Sequence, residues 1–244
     1  MQVPLAWDTT MGAGVTVAVF DTGVDSTHPD LVANMVVGRN ANLNNSETSD
    51  IYGHGTKVAG TVGEIGNNSI GGAGVANQVK IMPIRVSEDP STGSATWSAL
   101  SSGLMWAADN GASMANMSYV VNGSSSVESA AQYLRNKGGM AFNSAGNYGT
   151  DGGYINSPYL ITVSATTSTD VKASWSSYGS YVDLAAPGAG IYTTVKGGGY
   201  GSVSGTSFSS PLTAAVAALV KSANPKLTPA AIEQILKDSA VDLG

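Results

Sequence analysis

Two histidines occur in the 244 residues, His28 and His54, so chemistry that needs an imidazole base has two candidates. His54 stands in GHGTKVAG, between glycines that let neighbouring segments approach closely, where a helical pattern begins. It reads either as a base or as a structural histidine at a capped helix start. His28 stands in STHPDL among turn residues and reads as a surface or turn histidine. A carboxylate able to orient a base is Asp21, just after the apolar run VTVAVF (15–20). Its bland alternative is a turn aspartate bonded to its own backbone. Asp25, in the polar turn that follows, reads as solvated.

Ser207 lies in SGTSFSSPL (204–212), directly ahead of the apolar AAVAALV (214–220). As an N-cap it would be used up by its own helix. Just inside the helix, its hydroxyl would point outward above the positive end of the helix dipole, which suits a nucleophile whose attack creates an oxyanion. The G-x-S-x-G elbow is not present, because the stretch reads G-T-S-F-S.

Elements must bring these residues together. Apolar runs at 15–20, 79–86, 112–119, 138–146 and 160–166 predict strands. Helical patterns fall at 54–65, 96–110, 125–138, about 206–223 and 228–239, the last opening with Thr228 as cap and Pro229 after it. Continuous apolar strands separated by helices predict an α/β fold: a three-layer sandwich with a mostly parallel central sheet and helices on both faces. Such sheets place sites at the carboxyl ends of their strands, where Asp21 falls. No repeat or linker divides the chain, so residues 1–244 read as one domain.

Composition narrows the chemistry. There is no cysteine, which excludes disulfides, thiolate metal sites and cysteine nucleophiles. Net charge is −6 with no basic cluster, which argues against nucleic acid as a partner. The apolar runs are far shorter than the roughly 20 residues of a membrane helix, so no membrane is expected either. Met1 leads straight into QVPLAWD, without the charged and apolar regions of a signal peptide.

DTG (21–23), HGTKVAG (54–60) and GTSFSSP (205–211), in the order Asp21, His54, Ser207, resemble the subtilisin-like serine proteases, the subtilases. The resemblance runs over nearly the whole chain. It implies a serine endopeptidase in which Ser207 attacks the scissile carbonyl, His54 shuttles the proton and Asp21 fixes the His54 tautomer. Asn147, in SAGN, matches the oxyanion-hole asparagine. The substrate implied is an extended polypeptide that pairs as an added strand with segments around Gly93 and Ser118-Tyr119-Val120. The first specificity pocket would be walled by residues 118–120 and by Ser144, Ala145 and Gly146, with Gly153 near its floor. None of these residues is charged, which suits an apolar or uncharged side chain.

The resemblance also implies a structural calcium ion. Its ligands would be the Asp30 carboxylate, the Asn68 side chain and the carbonyls of Gly66, Ile70 and Gly72; the other reading of GNNSIGG (66–72) is a polar turn. A pro-segment or a proteinaceous inhibitor as partner, a monomeric state and a secreted, extracellular setting follow from the family. The sequence departs from the family in four places. Phe208 stands where many relatives have methionine, YVVN (119–122) replaces a glycine-rich segment, and Ile155 falls where relatives often carry a cis proline, so that loop is expected to differ. Both ends look trimmed. The alternative to an enzyme is a non-catalytic subtilase-like binding or structural module, against which stands the complete Asp21, His54, Ser207 set.

Overall fold

A computed structural model describes residues 2–243. Along the chain the elements are α1 (Val3–Ala6), β1 (Thr16–Asp21), β2 (Arg39–Asn40), α2 (His54–Gly63), β3 (Lys80–Arg85), α3 (Trp97–Asp109), β4 (Met114–Met117), α4 (Ser125–Asn136), β5 (Met140–Ser144) and β6 (Leu160–Thr166). After these come β7 (Leu184–Pro187), β8 (Ile191–Val195), β9 (Gly199–Val203), α5 (Thr206–Ala223) and α6 (Pro229–Ser239). A seven-stranded sheet runs in the order β2-β3-β1-β4-β5-β6-β7. Every pairing in it is parallel.

The strands bury both faces, and their side chains alternate between two cores. Val17 and Val19 of β1 join the core that holds Val58 and Val62 of α2, Ala214 and Leu219 of α5, and Ile232 and Leu236 of α6. Ala18 and Phe20 join the opposite core, with Leu100 and Leu104 of α3 and Val127 and Leu134 of α4. One apolar run therefore serves two helical layers, because successive side chains of a strand point to opposite faces. Helix α6 starts where the sequence placed it, with the Thr228 hydroxyl accepting from the Ala231 N–H.

The chain leaves β1 toward β3 on one side and reaches β4 on the other. The carboxyl end of β1 is thus a topological switch point, where crossovers diverge and leave a crevice. Asp21 is its last residue.

Sequence patterns missed the short strands β2 and β7 and the antiparallel hairpin β8–β9. The hairpin clamps α2: Thr193 and Thr194 donate their hydroxyls to the carbonyls of Lys57 and Thr56, at 2.8 and 2.7 Å. A Cβ on Gly60 would overlap the Thr194 hydroxyl, so glycine allows this contact. Two further expectations are corrected. His28 is fully buried, not at the surface: its Nε2 bonds the Gly199 carbonyl at 2.9 Å and its Nδ1 accepts from the Asp30 N–H. Asp25 is half-buried and accepts from the Gly197 N–H, the Thr27 N–H and the Thr27 hydroxyl. Both residues anchor the hairpin region, whose position the local sequence does not reveal.

Candidate active site

Asp21 is buried at the end of β1, and His54 is the first residue of α2. The helix can begin there because Gly53 takes a left-handed conformation at φ 91°. His54 Nδ1 lies 2.8 and 2.9 Å from the two Asp21 carboxylate oxygens. A carboxylate only accepts, so Nδ1 carries the proton and Nε2 keeps its lone pair. Burial alone would lower the His54 pKa; the charge and hydrogen bond of Asp21 outweigh it, and the pKa is raised. The imidazole is 26% exposed, so Nε2 has access to the crevice.

Ser207 is the second residue of α5, inside the helix and half-buried. Its neighbour Phe208 packs on the His54 ring, with centroids 5.5 Å apart. The Ser207 hydroxyl donates to the Ser118 carbonyl at 3.4 Å, and the Ser118 hydroxyl donates back to the Ser207 carbonyl at 2.8 Å. The backbone N–H of the second helical residue has no intrahelical partner, so it is open to an anion.

Asn147 follows Gly146, which turns the chain at φ 110°. Its Oδ1 accepts from both the N–H and the hydroxyl of Thr206, each at 2.9 Å. The Thr206 hydroxyl also accepts from the Gly146 N–H. These bonds orient the amide so that Nδ2 is left as a donor beside the start of α5. Thr206 was not singled out in the sequence, although its place beside Ser207 in GTS is the signal that could have found it.

Beside His54 a cavity of about 220 Å³ is lined by Thr22, Tyr52, His54, Thr92, Gly93, Ser118 and Tyr119. The Tyr119 hydroxyl donates to the Gly93 carbonyl at 2.8 Å, so the two segments expected to flank a substrate are tied together. Burial and the nearby charges of Asp21 and Asp50 push the Tyr119 pKa far above its ordinary value, so it remains a donor. Ser144 bonds its N–H to the Tyr119 carbonyl, and the Ala145 carbonyl accepts from the buried Tyr181 hydroxyl. A Cβ on Gly146 would lie 3.1 Å from Val120 Cγ2. Residues 118–120 and 144–146 thus lie against one another. Gly153 instead lines a separate groove with Asn122, Glu128, Tyr154 and Ile155. The loop around Ile155 contains no cis peptide bond.

Two of the expected calcium ligands, Asp30 and Asn68, are drawn together. The Asn68 Nδ2 donates to Asp30 Oδ1 at 2.5 Å, and the Tyr200 hydroxyl donates to Asp30 Oδ2 at 2.7 Å. Gly71 closes the loop over the carboxylate at φ 56°, where a Cβ would overlap Asp30 Oδ2. The Asp30 carboxylate beneath this curl is an oxygen donor of the kind calcium takes, and the Asn68 amide would have to turn over to face its own oxygen there. Among the described residues no group of three or more histidine, cysteine or acidic side chains is placed to hold a metal.

The family model for the subtilase family matches residues 12–244. The chain is 41% identical to thermitase of Thermoactinomyces vulgaris, over 91% of this chain and 80% of that protein. It is 40% identical to alkaline elastase YaB of Bacillus sp. (strain YaB), over all of this chain and 64% of that protein. Subtilisin Savinase of Lederbergia lenta is 38% identical over all of this chain and 90% of its own length. Among solved structures, a cold-adapted subtilisin-like serine proteinase superposes with a TM-score of 0.87 at 38% identity, covering 96% of this chain and 85% of that one. A protease from Pseudoalteromonas arctica PAMC 21717 gives 0.90 at 32% identity, covering 98% and 87%. The chain belongs to the subtilase family. Its class is that of subtilisin-type serine endopeptidases.

Proposed function

We propose that Asp21, His54 and Ser207 form the catalytic triad and that Asn147 and the Ser207 N–H form the oxyanion hole. The observation that carries this reading is the His54 Nδ1 held between both Asp21 oxygens at 2.8 and 2.9 Å, beside the helix start that bears Ser207. His54 Nε2 takes the proton of the Ser207 hydroxyl as Oγ attacks the scissile carbonyl. The carbonyl oxygen becomes an oxyanion and receives hydrogen bonds from Asn147 Nδ2 and the Ser207 N–H. The His54 imidazolium then gives its proton to the leaving amine, and the acyl-enzyme forms. Water, deprotonated by His54, hydrolyses the ester by the reverse sequence. The Ser207 hydroxyl here is bonded to the Ser118 carbonyl, and in the proposed step it turns from that acceptor to His54.

The substrate is an extended polypeptide laid between Gly93 and residues 118–120, with an uncharged side chain entering between 118–120 and 144–146. A monomer working outside the cell, with a pro-segment or an inhibitor protein as partner, follows from the family. The loop at 66–72 with Asp30 holds a structural calcium ion, which takes no part in the bond cleavage. The test is labelling with a serine-directed fluorophosphonate. Wild type is expected to be labelled and Ser207→Ala not; equal labelling of both overturns the assignment.

A further inference from the structure

Behind the proposed triad lies a second carboxylate that does not touch it. Asp50 is 3% exposed and accepts five hydrogen bonds. Oδ1 takes the Thr22 hydroxyl at 2.7 Å and the N–H groups of Tyr52 and Gly53 at 3.1 and 2.7 Å. Oδ2 takes the N–H and the hydroxyl of Thr56, at 2.9 and 2.5 Å. Gly53 offers no side-chain cap to α2. Asp50 supplies one from three residues upstream, gripping the backbone on both sides of His54. A negative charge at this end of a helix is also favourable.

Thr22 completes the frame. Its hydroxyl donates to Asp50 and accepts from the Gly55 N–H at 3.1 Å, so it pairs a helix N–H that has no partner within α2. Its own N–H donates to Asp21 Oδ1 at 2.8 Å. One residue therefore bonds the Asp21 carboxylate, the Asp50 carboxylate and the helix that carries His54. Gly55 permits the close fit, since a Cβ there would overlap the Gly23 carbonyl and press on Asp21 Cβ. The strand end and the helix start are locked in one hydrogen-bonded unit, with the Asp21–His54 pair on its outer side.

We propose that Thr22 and Asp50 are positioning residues for the Asp21–His54 pair, holding the imidazole at the angle and distance needed for proton transfer. The proposal rests on the triad reading above. Neither residue touches a reacting atom. Small errors in the placement of a catalytic group are costly in rate, which gives the pair a kinetic role beyond anchoring a loop. The charged groups that bear on His54 are Asp21 and Asp50, which favour the imidazolium, and Lys57, which opposes it.

The test compares wild type, Thr22→Ser, Thr22→Val, Asp50→Asn and Ser207→Ala. Each is assayed for kcat and KM on a chromogenic peptide across pH, and for Tm. The His54 pKa is also followed by NMR titration with Thr22→Val or Asp50→Asn placed in the Ser207→Ala protein, which needs no activity. Thr22→Val keeps the shape and removes the hydroxyl. It is expected to lower kcat by about tenfold or more and to leave KM within about twofold. Thr22→Ser restores kcat to within about twofold of wild type. Asp50→Asn removes a charge that favours His54⁺, so the His54 pKa falls and the acid limb of kcat/KM moves to lower pH. The proposal is overturned if folded Thr22→Val keeps wild-type kcat, if Thr22→Ser is as impaired as Thr22→Val, or if Thr22→Val does not fold, which would make the role structural. Hydrolysis that survives Ser207→Ala would instead overturn the triad reading, and the NMR titration would still decide on the positioning pair.

Discussion

Asn147 and Thr206 are locked together by two hydrogen bonds on one oxygen: the amide Oδ1 accepts from the Thr206 N–H and hydroxyl, each at 2.9 Å. The orientation of the amide is therefore fixed by the residue next to the proposed nucleophile. Asn147→Leu is expected to lower kcat and leave KM nearly unchanged, because the amide would bond an oxygen that carries charge only in the transition state. The expected loss is about 10²–10³, the magnitude known for this donor in subtilisin itself. Thr206→Val should give a smaller loss of the same kind, since the backbone N–H still holds Oδ1. Steady-state kinetics check this; a large rise in KM with kcat intact would contradict the role.

Ser207→Ala and His54→Ala are each expected to remove nearly all peptidase activity, with the double variant little worse than either, because the triad acts as a unit. His28→Ala should behave differently. His28 is buried and bonded to the Gly199 carbonyl and the Asp30 N–H, so its loss should lower Tm and leave kcat largely intact in the folded fraction. The expected destabilisation is about 1–3 kcal/mol for buried polar partners left unpaired. An inactive but fully stable His28→Ala would reverse the two assignments.

These two histidines show what the sequence could and could not reveal. The strand and helix periods were legible, because a sheet covered on both faces writes itself as continuous apolar runs. Asp21, His54 and Ser207 stood out because each sits at a boundary between an apolar run and a glycine-rich turn, and the structure brings Asp21 and His54 into hydrogen-bond contact. His28 was misread because its partner Gly199 is distant in the chain and belongs to a hairpin, β8–β9, whose residues are too polar and glycine-rich to announce strands. Asp50, Thr22 and Thr206 were missed for a related reason. Their role is to join separate segments, and nothing in their local spacing records the partner.

The raised pKa of His54 sets the pH dependence. In the proposed triad the neutral imidazole is the base, so activity is expected to be lost as pH falls through the His54 pKa. The acid limb of kcat/KM is therefore expected above the ordinary histidine value of about 6.5. In Asp21→Asn the charge that raises the pKa is gone while burial still lowers it. The residual activity of that variant should carry its acid limb at lower pH than wild type. A limb that moved upward, or did not move, would show that another group controls it.

Phe208 packs on the His54 ring at the position next to the proposed nucleophile. Relatives with methionine there can gain a polar sulfoxide oxygen beside the serine on oxidation. Phe208 forms no sulfoxide, so activity is expected to survive hydrogen peroxide that inactivates a Phe208→Met variant. Eight methionines lie elsewhere, of which Met114, Met117 and Met140 are fully buried in strands. Time courses of inactivation with peptide mapping decide the point. Rapid loss in wild type with damage mapped beside Ser207 would contradict it.

The calcium proposal makes a prediction about stability rather than rate. Asp30 is buried, and its two oxygens meet the Asn68 amide and the Tyr200 hydroxyl beneath the glycine-rich loop. A calcium ion there would take one or both Asp30 oxygens, the Asn68 oxygen and the carbonyls of Gly66, Ile70 and Gly72, five or six of the six to eight oxygens the ion accepts, with water completing the shell. The folded chain alone brings these ligands together, so calcium bound there would stabilise by RT ln(1 + [L]/Kd). Removing it should lower Tm, and Asp30→Ala should abolish most of that response while lowering the calcium-free Tm as well, because the Tyr200 and Asn68 donors lose their acceptor. Tyr200→Phe separates the two effects: it removes one hydrogen bond and should leave the response to calcium in place. Melting curves are recorded with and without chelator, after elemental analysis confirms removal of the metal. An unchanged Tm would show that Asn68 and Tyr200 alone hold Asp30, and that the loop is a polar turn.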